Sequence, residues 1–290
     1  MFEAILYDKL PNQEVICHVC EHHCHIVDGR RGLCGVRENQ KGILYALNNP
    51  VCISRAIDPI EKKPLYHFLE KTKTYSFATV GCNLRCPWCQ NHDISQSPKP
   101  DRYVEGEEIE PIKHVYSALA NHCPSISYTY SEPTIFIEYA LEVMKLAHEH
   151  GIKNIWVSNG FMSTASLELI TPYLDAANID YKGSERVYHQ LTSGHQTIIE
   201  RNLKYLYNHG VHLEITTLII PSVNDHFQEL EHMASFIKNE LGEEVPWHLS
   251  RFFPSWKMLT IPMTPLSTLE MAKSIGLKAG LKNIYIGNVW

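Results

Sequence analysis

Several things are missing from this chain of 290 residues. No apolar run reaches the ~18–20 residues that a bilayer-crossing helix needs, so no such helix is expected. Basic residues are in deficit: 26 Lys and Arg against 32 Asp and Glu leave a net charge of −6. That is the opposite of the cationic footprint of a nucleic-acid binder. The opening stretch "MFEAILYDKL" lacks the charged and apolar regions of a secretory signal, and the expected compartment is therefore the cytoplasm. Internal repeats and low-complexity tracts are absent too. What remains is 44% hydrophobic and 20% charged, ordinary for a globular chain with a substantial core.

Cysteine is what the chain has in plenty. There are nine, and in a reducing compartment grouped thiols read as metal ligands or catalytic groups rather than disulfides. Cys17, Cys20, Cys24 and Cys34 form one group, Cys82, Cys86 and Cys89 another. Cys52 and Cys123 stand alone and read as small buried hydrophobes.

Residues 1–70 are rich in His, Cys, Asn and Gly, with turn signals at Asp28-Gly29 and Asn48-Asn49-Pro50. They read as an irregular Cys/His-rich module with a connector, and 71–290 as the main domain. From Lys73 onward, short β-branched and aromatic runs (74–80, 125–130, 153–158, 176–181, 211–220, 247–252 and 283–287) alternate with segments of helical period. Helices are expected over 133–151, opened by Pro133 and closed by Gly151, over 225–242, and over 267–280, where Ser267 and Glu270 have capping-box spacing. Such alternation implies βαβ units about a parallel sheet, either open or curled into a barrel. Functional residues then belong at the C-terminal strand ends. The Cys82 group, Glu132, Asn159, Asp180 and Lys182 all follow or end expected strands, and His248 and Arg251 fall in or near another.

Cys82, Cys86 and Cys89 are spaced C-x3-C-x2-C. Thiolates select zinc or iron–sulfur clusters. A structural zinc wants a fourth ligand, which His92 can supply. Three ligands on a four-iron cluster instead leave one iron open to a substrate, which a fully ligated electron carrier lacks. The stretch "GCNLRCPWCQN", with Trp88 just before the last cysteine, resembles the radical S-adenosylmethionine (SAM) superfamily, in its pyruvate formate-lyase activating enzyme branch. "SYTYSEPTIFIEYA", "WVSNGF", "NIDYKG", "PWHLSRFFPSWKM", "DPIEKKPLYHF" and "CHVCEHHCHIVDGRRGLCGVREN" extend the resemblance over nearly the whole chain. They are similar to a group often labelled the AmmeMemoRadiSam-system radical SAM protein.

The resemblance implies a partial (β/α)6 barrel and a [4Fe–4S] cluster on Cys82, Cys86 and Cys89 whose open iron takes SAM. Reductive cleavage would give methionine and a 5′-deoxyadenosyl radical that removes a hydrogen atom from a substrate, in activases a glycine of a partner protein. It implies a flavodoxin- or ferredoxin-type electron donor and a Memo-like partner. Glu132 would face the SAM amino group and Lys182, with Asp180, the SAM carboxylate. Asn159 would touch SAM or fix its loop, Trp88 would lie near the cofactor, and His248 and Arg251 would reach the ribose or substrate. Helix-start, turn and strand-end ion-pair roles are the structural alternatives for Glu132, Asn159 and the Asp180–Lys182 pair. Val157-Ser158-Asn159 lacks the acidic residue that activases carry before this loop's Thr-Asn-Gly, which puts a monovalent-cation site in doubt.

Cys17, Cys20, Cys24 and Cys34 make a complete four-thiolate set. It suits structural zinc or an auxiliary iron–sulfur cluster, and His18, His22, His23 and His25 can replace a thiolate. A zinc-stabilised binding or scaffold module, with both groups structural, is the competing class.

Overall fold

The computed structural model describes residues 1–99 and 103–289. Its centre is an eight-stranded sheet. In chain order the strands are β1 (Ser54–Pro59), β2 (Lys73–Ala78), β3 (Ser125–Tyr128), β4 (Lys153–Ser158), β5 (Ala176–Asp180), β6 (His212–Ile219), β7 (Trp247–Arg251) and β8 (Ile284–Gly287). Spatial order follows chain order. β2 to β8 run parallel, and β1 pairs antiparallel to β2 at one edge. A helix of seven or more residues follows each of β2 to β7: α1 (Pro111–Ala120), α2 (Ile137–Glu149), α3 (Thr164–Ile170), α4 (Gln196–Asn208), α5 (Phe227–Phe236) and α6 (Leu266–Ala279). The result is a (β/α)6 partial barrel with a seventh parallel strand.

Side-chain alternation separates two faces. Phe77, Tyr128, Trp156, Ile179, Ile215 and Trp247 belong to the large core, which includes residues of every helix. The register puts Ser76, Ser127, Ile155 and Ala176, then Asn178 and Glu214, on the opposite face. Several polar groups there pair with one another: Thr74 and Ser127 hydroxyls are 2.7 Å apart, and Thr216 donates to Asn178 at 2.8 Å, while the Ser76 hydroxyl is buried without a partner. The segment joining β1 to β2 closes the N-terminal end of this interior. Ile60 and Leu65 pack on Ile155 and Ala176, Asn178 donates to the Pro64 carbonyl, and the Glu214 carboxylate accepts the Tyr66 and His67 amides. The open mouth is therefore at the C-terminal strand ends.

Three sequence expectations need correction. Residues 1–70 are ordered rather than irregular. Phe2–Glu3, Ile43–Ala46 and Arg37–Gln40 form one antiparallel sheet, and Tyr7–Lys9, Val15–Cys17 and His25–Ile26 a second. Strands of two to four residues are too short for alternation to register. β1 also lies inside that span, so the connector supplies the barrel's edge strand and floor. No capping box forms at Ser267, because α6 starts at Leu266 with Pro265 at the N-cap.

Candidate functional site

The loop after β2 carries Cys82, Cys86 and Cys89 to the mouth. Gly81 enters it at φ 102°, and a Cβ there would stand 2.9 Å from Val36 and 3.0 Å from the Cys34 carbonyl oxygen. Only glycine fits that turn. The Cys82 sulfur accepts from the Leu84 amide at 3.4 Å and from Asn159 Nδ2 at 3.7 Å, and Cys89 Sγ lies 3.3 Å from the Ser95 hydroxyl. Burial pushes the Cys82 thiol well up, with the Glu132 charge adding to it. Burial also raises Cys86, to about 11, against the pull of Lys182.

Glu132 and Asn159 join the ends of β3 and β4 to this loop. The Glu132 carboxylate, 2% exposed, accepts from Thr134 N and Oγ1, from Ser158 Oγ at 2.7 Å and from Asn159 N at 2.8 Å. It caps the turn Pro133–Phe136 and is committed to protein donors. Burial raises its pKa while those donors lower it. Asn159 donates to Asn83 Oδ1 at 2.8 Å and accepts the Phe161 amide, while Asn83 donates to the Phe161 carbonyl. The turn role and the role beside the cysteines are thus one arrangement. Gly160 has φ 75°, and a Cβ there would meet Ile179 at 2.8 Å.

Asp180 and Lys182 end β5 with a 2.7 Å ion pair, the lysine nearly buried and the aspartate 45% exposed. Burial opposes the Lys182 charge, but Asp180 and Cys86 hold its pKa above the usual lysine value. Trp88 lies in a small apolar cluster with Val187, Ile220, Val223 and Phe252, against which Cys86 packs.

His248 sits apart from this group. It is the second residue of β7, buried, with Nε2 2.6 Å from Glu214 Oε2 and its ring against Tyr66 and Tyr285. Its partners are floor residues, not mouth residues. Arg251, at the end of β7, donates to the Thr264 carbonyl. His92 does not join the cysteines: its ring lies against Trp256, and its Nδ1 is buried without a partner.

Sequence reasoning missed several polar groups. Asn83 and Ser158 hold the cysteine loop and the Glu132 carboxylate. In the interior, buried Lys63 donates to Asp58 at 2.6 Å and lies 4.3 Å over the Tyr130 ring, whose hydroxyl also donates to Asp58. Burial lowers the Lys63 pKa to about 8. Asn83 was within reach as part of "GCNLRC"; Lys63 carried no local signal.

Cys17, Cys20, Cys24 and Cys34 converge. All four line one pocket with Val19, His22, Ile26, Leu33 and Arg37. Burial pushes the Cys17 thiol up to about 12 and raises Cys20 and Cys24 as well.

Comparison with known proteins gives the family. The family model described as the radical SAM superfamily matches residues 77–237. An uncharacterized protein of Methanocaldococcus jannaschii is 42% identical over 289 residues, spanning 100% of this chain and 86% of its own. A pyruvate formate-lyase-activating enzyme of Clostridium pasteurianum is 24% identical over 173 residues, 58% of this chain and 72% of its own. Among solved structures, a radical SAM methyltransferase from Sphaerobacter thermophilus superposes with a TM-score of 0.60 at 12% identity, covering 77% of this chain and 68% of the other. That likeness establishes the fold.

Proposed function

This chain belongs to the radical SAM superfamily, and from that premise we propose that it is an activase-like enzyme with a [4Fe–4S] cluster on Cys82, Cys86 and Cys89 and a polypeptide substrate. Membership makes it an enzyme of SAM-dependent radical chemistry. The observation that carries the finer reading is the donor set at the mouth. Three thiols lie within eight residues of one loop, with N–H donors aimed at the Cys82 sulfur and the Lys182 cation beside Cys86. N–H donors and a nearby cation oppose the burial that raises both thiols, in the direction of the thiolate forms that iron needs.

When bound, the cluster supplies one electron that divides SAM into methionine and a 5′-deoxyadenosyl radical. The chain's own residues hold and shield that reaction. Lys182, held by Asp180 at 2.7 Å, would meet the SAM carboxylate in a charge-assisted contact. Asn159 and Asn83 fix the cysteine loop against the end of β4. Glu132 acts as a positioning residue, since four protein donors already occupy its oxygens. Trp88 and Phe252 keep water from the Cys86 side. The polypeptide substrate rests on the activating-enzyme relative, whose name is that of a protein acting on another protein. A flavodoxin- or ferredoxin-type donor would deliver the electron.

Anaerobic loading with ferrous iron and sulfide, followed by reduction, tests this. SAM should be converted to 5′-deoxyadenosine, and Cys86→Ala should abolish the product. A fully loaded, reduced protein that leaves SAM intact would sink the reading.

A further inference from the structure

We propose that Cys17, Cys20, Cys24 and Cys34 hold a second [4Fe–4S] cluster, with the Arg37 guanidinium as its hydrogen-bond donor. Distant pieces of the N-terminal region build the pocket. Cys17 ends the strand Val15–Cys17, and its amide donates to the Cys24 carbonyl at 3.0 Å. Cys20 forms an isolated bridge with Met162, and Cys34 lies in the turn before the strand Arg37–Gln40. Cys17, Cys20 and Cys34 are less than a tenth exposed.

Four buried thiols alone would pass as a small apolar core. Arg37 argues otherwise. It lines the pocket and is 1% exposed. Its Nη1 and Nη2 donate to Glu138 at 2.8 and 2.6 Å, and Nη2 also reaches the Ile135 carbonyl, but Nε–H has no partner. A buried guanidinium N–H left unpaired is a costly feature that an apolar core never requires. Cluster or thiolate sulfur accepts such a donor and, being anionic, complements the cation. Outside the pocket, a cleft that shares Cys24, Gly32 and Leu33 with it is lined by Arg30, Arg85 and Lys99, so its surroundings favour an anionic centre.

The neighbouring site favours a cluster over zinc: zinc takes four sulfurs on one ion, whereas a four-iron cluster takes one ligand on each iron and is the group assigned to Cys82, Cys86 and Cys89 above. The second site also abuts the first: a Cβ on Gly81 would stand 3.0 Å from the Cys34 carbonyl oxygen, and a His22 ring nitrogen lies 2.8 Å from the Asn83 carbonyl oxygen.

The test uses the full chain, loaded anaerobically with ferrous iron and sulfide, and counts iron, sulfide and zinc. Wild type should carry about eight irons and eight sulfides, two four-iron clusters. Because Cys82→Ala/Cys86→Ala/Cys89→Ala removes the other cluster, failure here is distinguishable from failure of the SAM reading. That variant should keep about four irons and a broad visible absorption. A colourless triple variant, or one carrying a single zinc, overturns the proposal. In the triple-variant background, Arg37→Lys keeps a cation beside Glu138 but withdraws Nε–H, and the retained cluster's midpoint potential should fall. An unchanged potential would remove Arg37 from the site.

Discussion

Replacing Glu132 by glutamine tests how the mouth is held. The carboxylate is buried and takes donors on both oxygens, three on Oε1 and the Asn159 amide on Oε2. Glutamine can keep the first oxygen, but its NH2 group then faces the Asn159 N–H. One hydrogen bond to a charged acceptor, about 1.5–3 kcal/mol, is lost. Part of that is offset, because burial disfavours the Glu132 charge. A net loss of about 1–2 kcal/mol remains. At about 2.1 cal/mol/K of unfolding entropy per residue, a chain of this size should lose about 2–3 °C in Tm. SAM cleavage should slow as Asn159 and the cysteine loop shift, whereas SAM affinity changes less than tenfold. Differential scanning fluorimetry and equilibrium SAM binding read the two effects separately. A direct SAM contact would instead give a loss of roughly 10- to 100-fold in SAM affinity. That result with an unchanged Tm would refute the positioning role.

Lys182→Met should weaken SAM binding about tenfold or more through loss of a charge-assisted contact, while iron content and visible spectrum stay at wild-type levels. Equal loss of iron would make Lys182 a support for the cluster loop instead. Gly160→Ala forces a Cβ to 2.8 Å from Ile179 at φ 75°, and should cost about 1–3 kcal/mol in denaturant unfolding. Glu214 is held down to about 2 by His212, His248 and the Tyr66 and His67 amides, against its burial. A depressed carboxylate stabilises the fold above its unfolded pKa near 4.5, and that support fades as pH falls toward 2. The contribution is about 3 kcal/mol. Urea unfolding between pH 5 and 3 should therefore show a steep loss that Glu214→Gln flattens, and parallel profiles would contradict the assignment.

The parallel strands could be read from the chain because each is a short β-branched or aromatic run bounded by turns, and each lies within three residues of its expected ends. The cysteine groups were equally plain, since their members are close in sequence. Asn83 to Asn159, Lys63 to Tyr130 and Arg37 to Glu138 were hidden. Those partners are far apart along the chain, and only the folded partial barrel and the packed N-terminal region bring them together. His248 shows the limit of the strand-end rule. A residue in a functional-looking strand can sit low in the barrel and serve its floor. Glu132 shows that one carboxylate can satisfy a helix-start motif and hold a neighbouring loop together.

The most direct test of the central claim is 5′-deoxyadenosine formation by the anaerobically loaded, reduced protein. The account predicts product from wild type, and none from Cys82→Ala, Cys86→Ala or Cys89→Ala. Product formed at the wild-type rate by any of these three variants would contradict it.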